Sequence, residues 1–211
     1  MKIRYRLTLI LIMAFRPTIV YCQPAAFNVW YELTSVPETA SGFKFNENRT
    51  FEFYYIYGAV DRYASGNWHE SGDTLILDNA PKPPLDFRLI VSDKKKGSST
   101  TVKIKCLNPA LVNNVHCRLV CADTLYGETD ANGIAVIECR HAEKIELLHG
   151  YFPPRSSLFA VNADHNYFEF EVERWIADVE FREFKLIPEG KMLKGAHPLI
   201  NKENCTYLIS E

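Results

Sequence analysis

The sequence predicts an all-β protein, and three observations carry that reading. No segment sustains an apolar stripe at the helical period of about 3.6 residues. Period-two runs rich in aromatic and β-branched residues recur throughout. The composition, 47% apolar and 24% charged over 211 residues, is that of an ordinary globular chain and excludes disorder, collagen and coiled coil.

Lys2, Arg4 and Arg6 precede the apolar run Leu7 to Phe15, the charged region and short hydrophobic core of a secretory leader. That run is too short to cross a bilayer, which takes about 20 residues, and Arg16 with Pro17 ends it. Val20 and Cys22 stand where signal peptidase takes small residues, so residues 1–22 are expected to be a signal peptide and Gln23 the mature start. Lipidation at Cys22 is the rival, opposed by Tyr21 where a lipoprotein signal wants a small residue; membrane attachment is expected only with that lipid. Without the leader the chain has 20 basic against 26 acidic residues, a net charge of -6. With no basic cluster larger than Lys94 to Lys96, nucleic acid is excluded as the main partner, because phosphates need a positive footprint.

In a front module, 23–85, candidate strands are Val29 to Thr34, Thr50 to Tyr57, Gly66 to His69 and Thr74 to Leu77. Ser71-Gly72-Asp73 supplies the turn between the last two. Asn79-Ala80-Pro81-Lys82-Pro83-Pro84 marks the boundary, since its prolines fix φ and remove backbone donors, giving a stiff extended connector. A second module, 86–175, holds Phe87 to Val91, Thr100 to Cys106, Val115 to Cys121, Ile134 to Cys139, Lys144 to Leu148, Leu158 to Val161 and Tyr167 to Glu173. Lys94 to Thr101 is a solvated hairpin tip. The C-terminal stretch, 176–211, holds Val179 to Leu186 and a short strand around Cys205 to Ile209. Neither it nor the front module buries much alone. They are therefore expected to pack together as a small antiparallel sheet in which the second module is an insertion.

The mature chain keeps Cys106, Cys117, Cys121, Cys139 and Cys205, an odd number that leaves at least one unpaired or intermolecular. Cys117 and Cys121 share a strand face about 13 Å apart and cannot bond each other. If the strands flanking the turn at Asp130 and Ala131 pair with each other, Cys121 comes within one register step of Cys139, making this pair the disulfide candidate. Small buried thiols are the alternative.

Gly66-x-Trp68 followed by Gly72-Asp73-Thr74-Leu75-x-Leu77 resembles, over Thr50 to Leu77, a hairpin of small exported bacterial proteins of unknown or lipocalin-like type. In the second module, Asp130, Asn132 and Gly133 form a turn signature after Gly127-Glu128-Thr129, and a later strand ends in Gly150-Tyr151. This order resembles the carboxypeptidase regulatory-like (transthyretin-like) domain over about Asp86 to Glu173. The resemblance implies a seven-stranded sandwich without catalytic residues, an accessory on exported bacterial proteins. The usual glycine-rich opening is replaced by Leu107 to Val115, of which Pro109 survives.

No catalytic or metal constellation stands out. His141 and His149 are some 26 Å apart along an extended strand. His69, Glu70 and Asp73 span a hairpin turn; His116, His165 and His197 have no evident partner. Glu128 to Cys139 mimics a calcium loop but ends on Cys where a bidentate Glu is required. Nucleotide-loop, zinc-protease and serine-elbow motifs are missing, so no cofactor and no metal are expected.

What remains is aromatic. Phe51, Phe53, Tyr55 and Tyr57 fall on one face of a strand and Tyr54 with Ile56 on the other, with Trp30, Tyr31, Tyr63 and Trp68 nearby in sequence. Core packing explains most of these rings; Tyr55, Tyr57 and Trp68 are the ligand-binding candidates. The functional expectation is a non-enzymatic binding or interaction module exported to the periplasm or surface of a Gram-negative bacterium, its partner an envelope protein or glycan. A lipocalin-like carrier of a small apolar ligand and a hydrolase using two of His69, Glu70, Asp73, His149 and His165 are the alternatives.

Overall fold

The computed structural model describes residues 26–34, 36–58, 60–152 and 154–210. The expected leader, with Cys22, lies outside them. Eight strands close into an antiparallel barrel: β1 (Trp30–Leu33), β2 (Thr39–Phe45), β3 (Thr50–Tyr57), β4 (Val60–Ser71) and β5 (Thr74–Asp78) from the front of the chain, then β14 (Phe184–Glu189), β15 (Met192–Gly195) and β16 (Cys205–Ile209) from its end. Each strand pairs with its neighbour in this order, and β16 returns to β1 with Leu33 opposite Tyr207. The flanks thus form a closed barrel and not the small sheet expected. Closure removes the free edges such a sheet would have left.

The barrel strands also differ from their expected bounds, for local reasons. β2 contains Ser41 and Gly42 and does not read as a strand, yet a Cβ on Gly42 would lie 2.8 Å from the Tyr31 carbonyl oxygen, so the glycine serves close strand approach. β4 runs unbroken through Ser65-Gly66-Asn67, because its alternate side chains face solvent and need no apolar pattern. β14 starts at Phe184, since Val179 to Phe181 instead bond to Tyr63 and Asn79.

Inward-facing rings fill the barrel. Tyr31, Phe43, Phe45, Phe51, Phe53 and Tyr207 are buried, and Phe181, from the returning connector, packs among Phe43, Phe51, Phe53 and Phe184 at centroid distances of 5.2–6.0 Å. Edge-to-face contacts of this kind exploit the ring quadrupole beyond simple burial.

Between β5 and β14 the chain builds a sandwich from β6 (Phe87–Asp93), β7 (Thr100–Lys105), β8 (Val115–Val120), β9 (Thr124–Glu128), β10 (Ile134–Ile137), β11 (Lys144–His149), β12 (Ser157–Ala160) and β13 (Tyr167–Val172). One sheet has the order β10-β7-β13-β6 and the other β12-β11-β8-β9, so there are eight strands in two four-stranded sheets, not seven. The additional strand, β9, is read from sequence as a connection. Two short 3-10 turns, Pro109–Leu111 and Arg174–Ala177, are the helical elements described.

Cys121 and Cys139 are joined in a disulfide. The pairing that suggested this pair from sequence does not exist. β8 pairs with β9 and β11, whereas β10 pairs with β7 in the opposite sheet, so the bond ties the two sheets together at their ends. Asp130 Oδ1 accepts from the backbone N–H groups of Asn132 and Ile134, and Gly133 adopts φ 74° where a Cβ would meet the Ile104 carbonyl oxygen at 2.7 Å. That turn sends the chain from one sheet to the other.

Candidate functional site

The structure does not bring Tyr55, Tyr57 and Trp68 together. Tyr55 pairs with Arg62 while Trp68 lies six residues farther along β4, roughly 20 Å away. Trp68 is 3% exposed, stacked on Phe27, edge-on to Phe45, with the Arg49 guanidinium 5.0 Å from its ring. It caps one end of the barrel core. Tyr57 is half exposed at the opposite end of β3.

The aromatic surface lies instead on the barrel's outer wall. Strand alternation that sends Tyr31, Phe43 and Phe53 inward sends Trp30, Glu32, Lys44, Glu52, Tyr54 and Tyr63 outward. Tyr54 lies beside the space above Gly42, where a Cβ would approach its ring to 3.0 Å, and meets Trp30 edge-on at 4.9 Å. Its hydroxyl donates to Glu32 Oε1 at 3.5 Å, and burial first, then that carboxylate, push its pKa above the usual tyrosine value. Lys44 pairs with Glu52 at 3.3 Å, fixing the side of this floor.

Two crossovers wall the floor off. The outgoing connector passes Asn79 to Pro83, and the returning one passes Arg174, Trp175 and Asp178. Asn79 holds them side by side: its Nδ2 donates to the Val179 carbonyl at 2.8 Å and its Oδ1 accepts from the Phe181 N–H at 2.9 Å. The Trp175 indole N–H donates to the Leu85 carbonyl at 2.8 Å, which fixes the ring. Between floor and walls is an open cleft of about 970 Å³.

A cluster of buried charge lies behind Lys82 of the cleft wall. Asp86, 2% exposed, faces Lys82 at 3.7 Å and Arg155 at 3.6 Å. Burial outweighs these cations and raises its pKa, while burial lowers those of Lys82 and Arg62. Arg62 reaches from β4 to the Ala177 carbonyl at 3.2 Å and sits 5.3 Å from the Phe152 ring, tying barrel to sandwich. A buried pair of this sort orients elements more than it stabilises them.

One contact imitates a catalytic dyad. His197 Nε2 and Ser41 Oγ are 3.0 Å apart and buried. The proton positions run opposite to those of a nucleophile and its base. His197 Nδ1 accepts from the N–H groups of Leu199 and Ile200 at 3.1 Å, so Nε2 carries the hydrogen and donates to Ser41, whose hydroxyl donates onward to the Tyr54 carbonyl at 2.8 Å. Burial lowers the His197 pKa to about 4. His149 is held alike in the sandwich, accepting from the Tyr151 N–H and donating to the Leu111 carbonyl at 3.2 Å. His165 contacts Ser92, His141 contacts the Ala163 carbonyl and His116 faces Glu128, while His69, Glu70 and Asp73 stay on the β4–β5 hairpin. Among the described residues no three His, Cys, Asp or Glu groups converge as a metal site.

Neither a protein-family model nor a curated protein nor a solved structure matches the chain. Of the cleft residues, Trp30, Tyr54 and Tyr63 stand out in the sequence as aromatic. The signal that some face outward was available in Glu52, which shares a strand face with Tyr54. Trp175 is missed, because it follows the last sandwich strand and meets the others through tertiary folding alone.

Proposed function

We propose that this chain is an exported, non-enzymatic binding module of the bacterial cell envelope, and that the cleft on the barrel's outer wall is its binding surface. One observation carries the reading: the barrel interior is filled by its own rings, whereas Trp30, Tyr54, Tyr63 and Trp175 converge outside it around about 970 Å³ of open space. A cleft of mixed aromatic and polar lining at a junction between structural units is where ligand sites are concentrated. Among the described residues the rings beside Trp68 pack against one another, which favours this reading over a carrier, and the tautomer of His197 denies Ser41 a base. The sandwich is in this reading a carboxypeptidase regulatory-like accessory, and the two connectors that lead to and from it supply the cleft's walls.

The test is retention of the purified chain on isolated envelope material. Trp30→Ala is expected to lose retention with its unfolding midpoint unchanged, because the ring stands on the outer face. Equal retention of wild type and Trp30→Ala would place binding elsewhere.

A further inference from the structure

We infer that the cleft takes a saccharide, neutral in charge and longer than one sugar unit; the inference rests on the cleft being the binding surface. A pyranose offers an apolar C–H face and a rim of hydroxyls that both donate and accept. The cleft offers the complement. The Trp175 indole has its only donor satisfied by the Leu85 carbonyl, so its remaining contact surface is apolar ring. Trp30 and Tyr54 line the floor with their ring planes at 81° to each other. Around them stand polar groups with capacity left. Glu32 accepts one bond, from Tyr54; among the described residues the Asp178 carboxylate makes no hydrogen bond, with Arg62 and Lys82 acting on it electrostatically, and the Arg174 guanidinium has no hydrogen-bond or ion-pair partner.

These groups also discriminate between ligand classes. A wholly apolar ligand would desolvate Glu32, Asp178 and Arg174 without repaying their hydration. An extended peptide gains affinity from backbone pairing, but β1, β3 and β4 are paired on both sides within a closed barrel and leave no ladder to extend. The lining carries three carboxylates, Glu32, Glu52 and Asp178, against two cations, Lys82 and Arg174, which disfavours uronates and sugar phosphates. The volume is near the upper end of small-ligand sites, about 300–1,000 Å³, and admits several sugar units.

The experiment is calorimetric titration of the full chain with neutral and acidic oligosaccharides, using maltotriose, cellotriose, chitotriose and trigalacturonate, extended by an array of neutral glycans. The expected result is that a neutral saccharide binds at least about tenfold tighter than trigalacturonate, and that Trp30→Ala weakens it about tenfold, within the range of a buried aromatic contact. Glu32→Gln, which leaves the rings in place, is expected to weaken it about threefold. Absence of binding across the neutral array overturns the inference. So does binding that both variants leave unchanged. If envelope retention depends on Trp30 while no saccharide binds or competes, the saccharide assignment falls and the cleft reading stands. If retention does not depend on Trp30, both fall.

Discussion

The barrel and the sandwich solve the problem of holding sheets together in different ways. The barrel has no edges and excludes water with interlocked rings, Phe43 and Phe181 at their centre. The sandwich keeps edge strands at β6, β9, β10 and β12, fills its interior with Val102, Leu119, Ile145 and Leu147 among Phe168 and Phe170, and adds a covalent tie between its sheets. A closed, ring-filled barrel has spent its inner face on stability. Its outer face is left uncovered, and here the two connectors of the inserted sandwich turn one part of that face into a cleft.

The sharpest way to break this comparison is at the ring that enters the barrel from the connector. Phe181→Ala is expected to destabilise by about 4 kcal/mol, as a large cavity in a rigid core does, and urea unfolding followed by near-ultraviolet circular dichroism measures it. A loss below about 1 kcal/mol would mean that the rings are not the barrel's main support. Next in size, replacing Cys121 and Cys139 together by Ser should remove about 3 kcal/mol, the value for a loop of this length. Hydrogen exchange should show the loss in β8 and β10 and not in the barrel.

Asn79→Ala tests the clamp between the two regions. It leaves the Val179 carbonyl and the Phe181 N–H without partners, for about 2 kcal/mol, and the altered cleft wall should change the quenching of Trp175 fluorescence. The smallest effect is electrostatic. Folding lowers the His197 pKa from 6.5 to about 4, so between those values the unfolded chain binds more protons. Stability from this group is complete above about pH 6.5 and falls as pH drops toward 4. From pH 7 to 5.5 the loss is about 1 kcal/mol, and His197→Gln should flatten the dependence of the urea midpoint in that window. Part of the slope will remain, because burial lowers the His149 pKa as well.

Where the sequence succeeded, the information was local. Phe51 and Phe53 alternate with Glu52 and Tyr54, and that period assigns β3 and its two faces without any knowledge of what covers them. The Asp130 to Gly133 turn is legible for the same reason, since an Asx turn and a left-handed glycine are properties of a few adjacent residues. Cys121 and Cys139 show the limit. Hairpin arithmetic nominates the pair, but β8 and β10 belong to opposite sheets, and the proximity comes from sheet stacking that no local register encodes.

By itself, then, the chain determined the all-β class, most strand positions, the proline-stiffened departure at Asn79 to Pro84 and the alternation that separates core rings from surface rings. Only the tertiary structure decided that β16 closes on β1, that Ser41 serves as hydrogen-bond acceptor to His197 across 156 residues, and that Trp175 faces the barrel wall carrying Trp30 and Tyr54. The physical reason is sequence separation: period and turn chemistry act over a few residues, whereas closure, proton direction and the cleft depend on which distant surfaces bury each other, and that choice belongs to the packing of the whole chain.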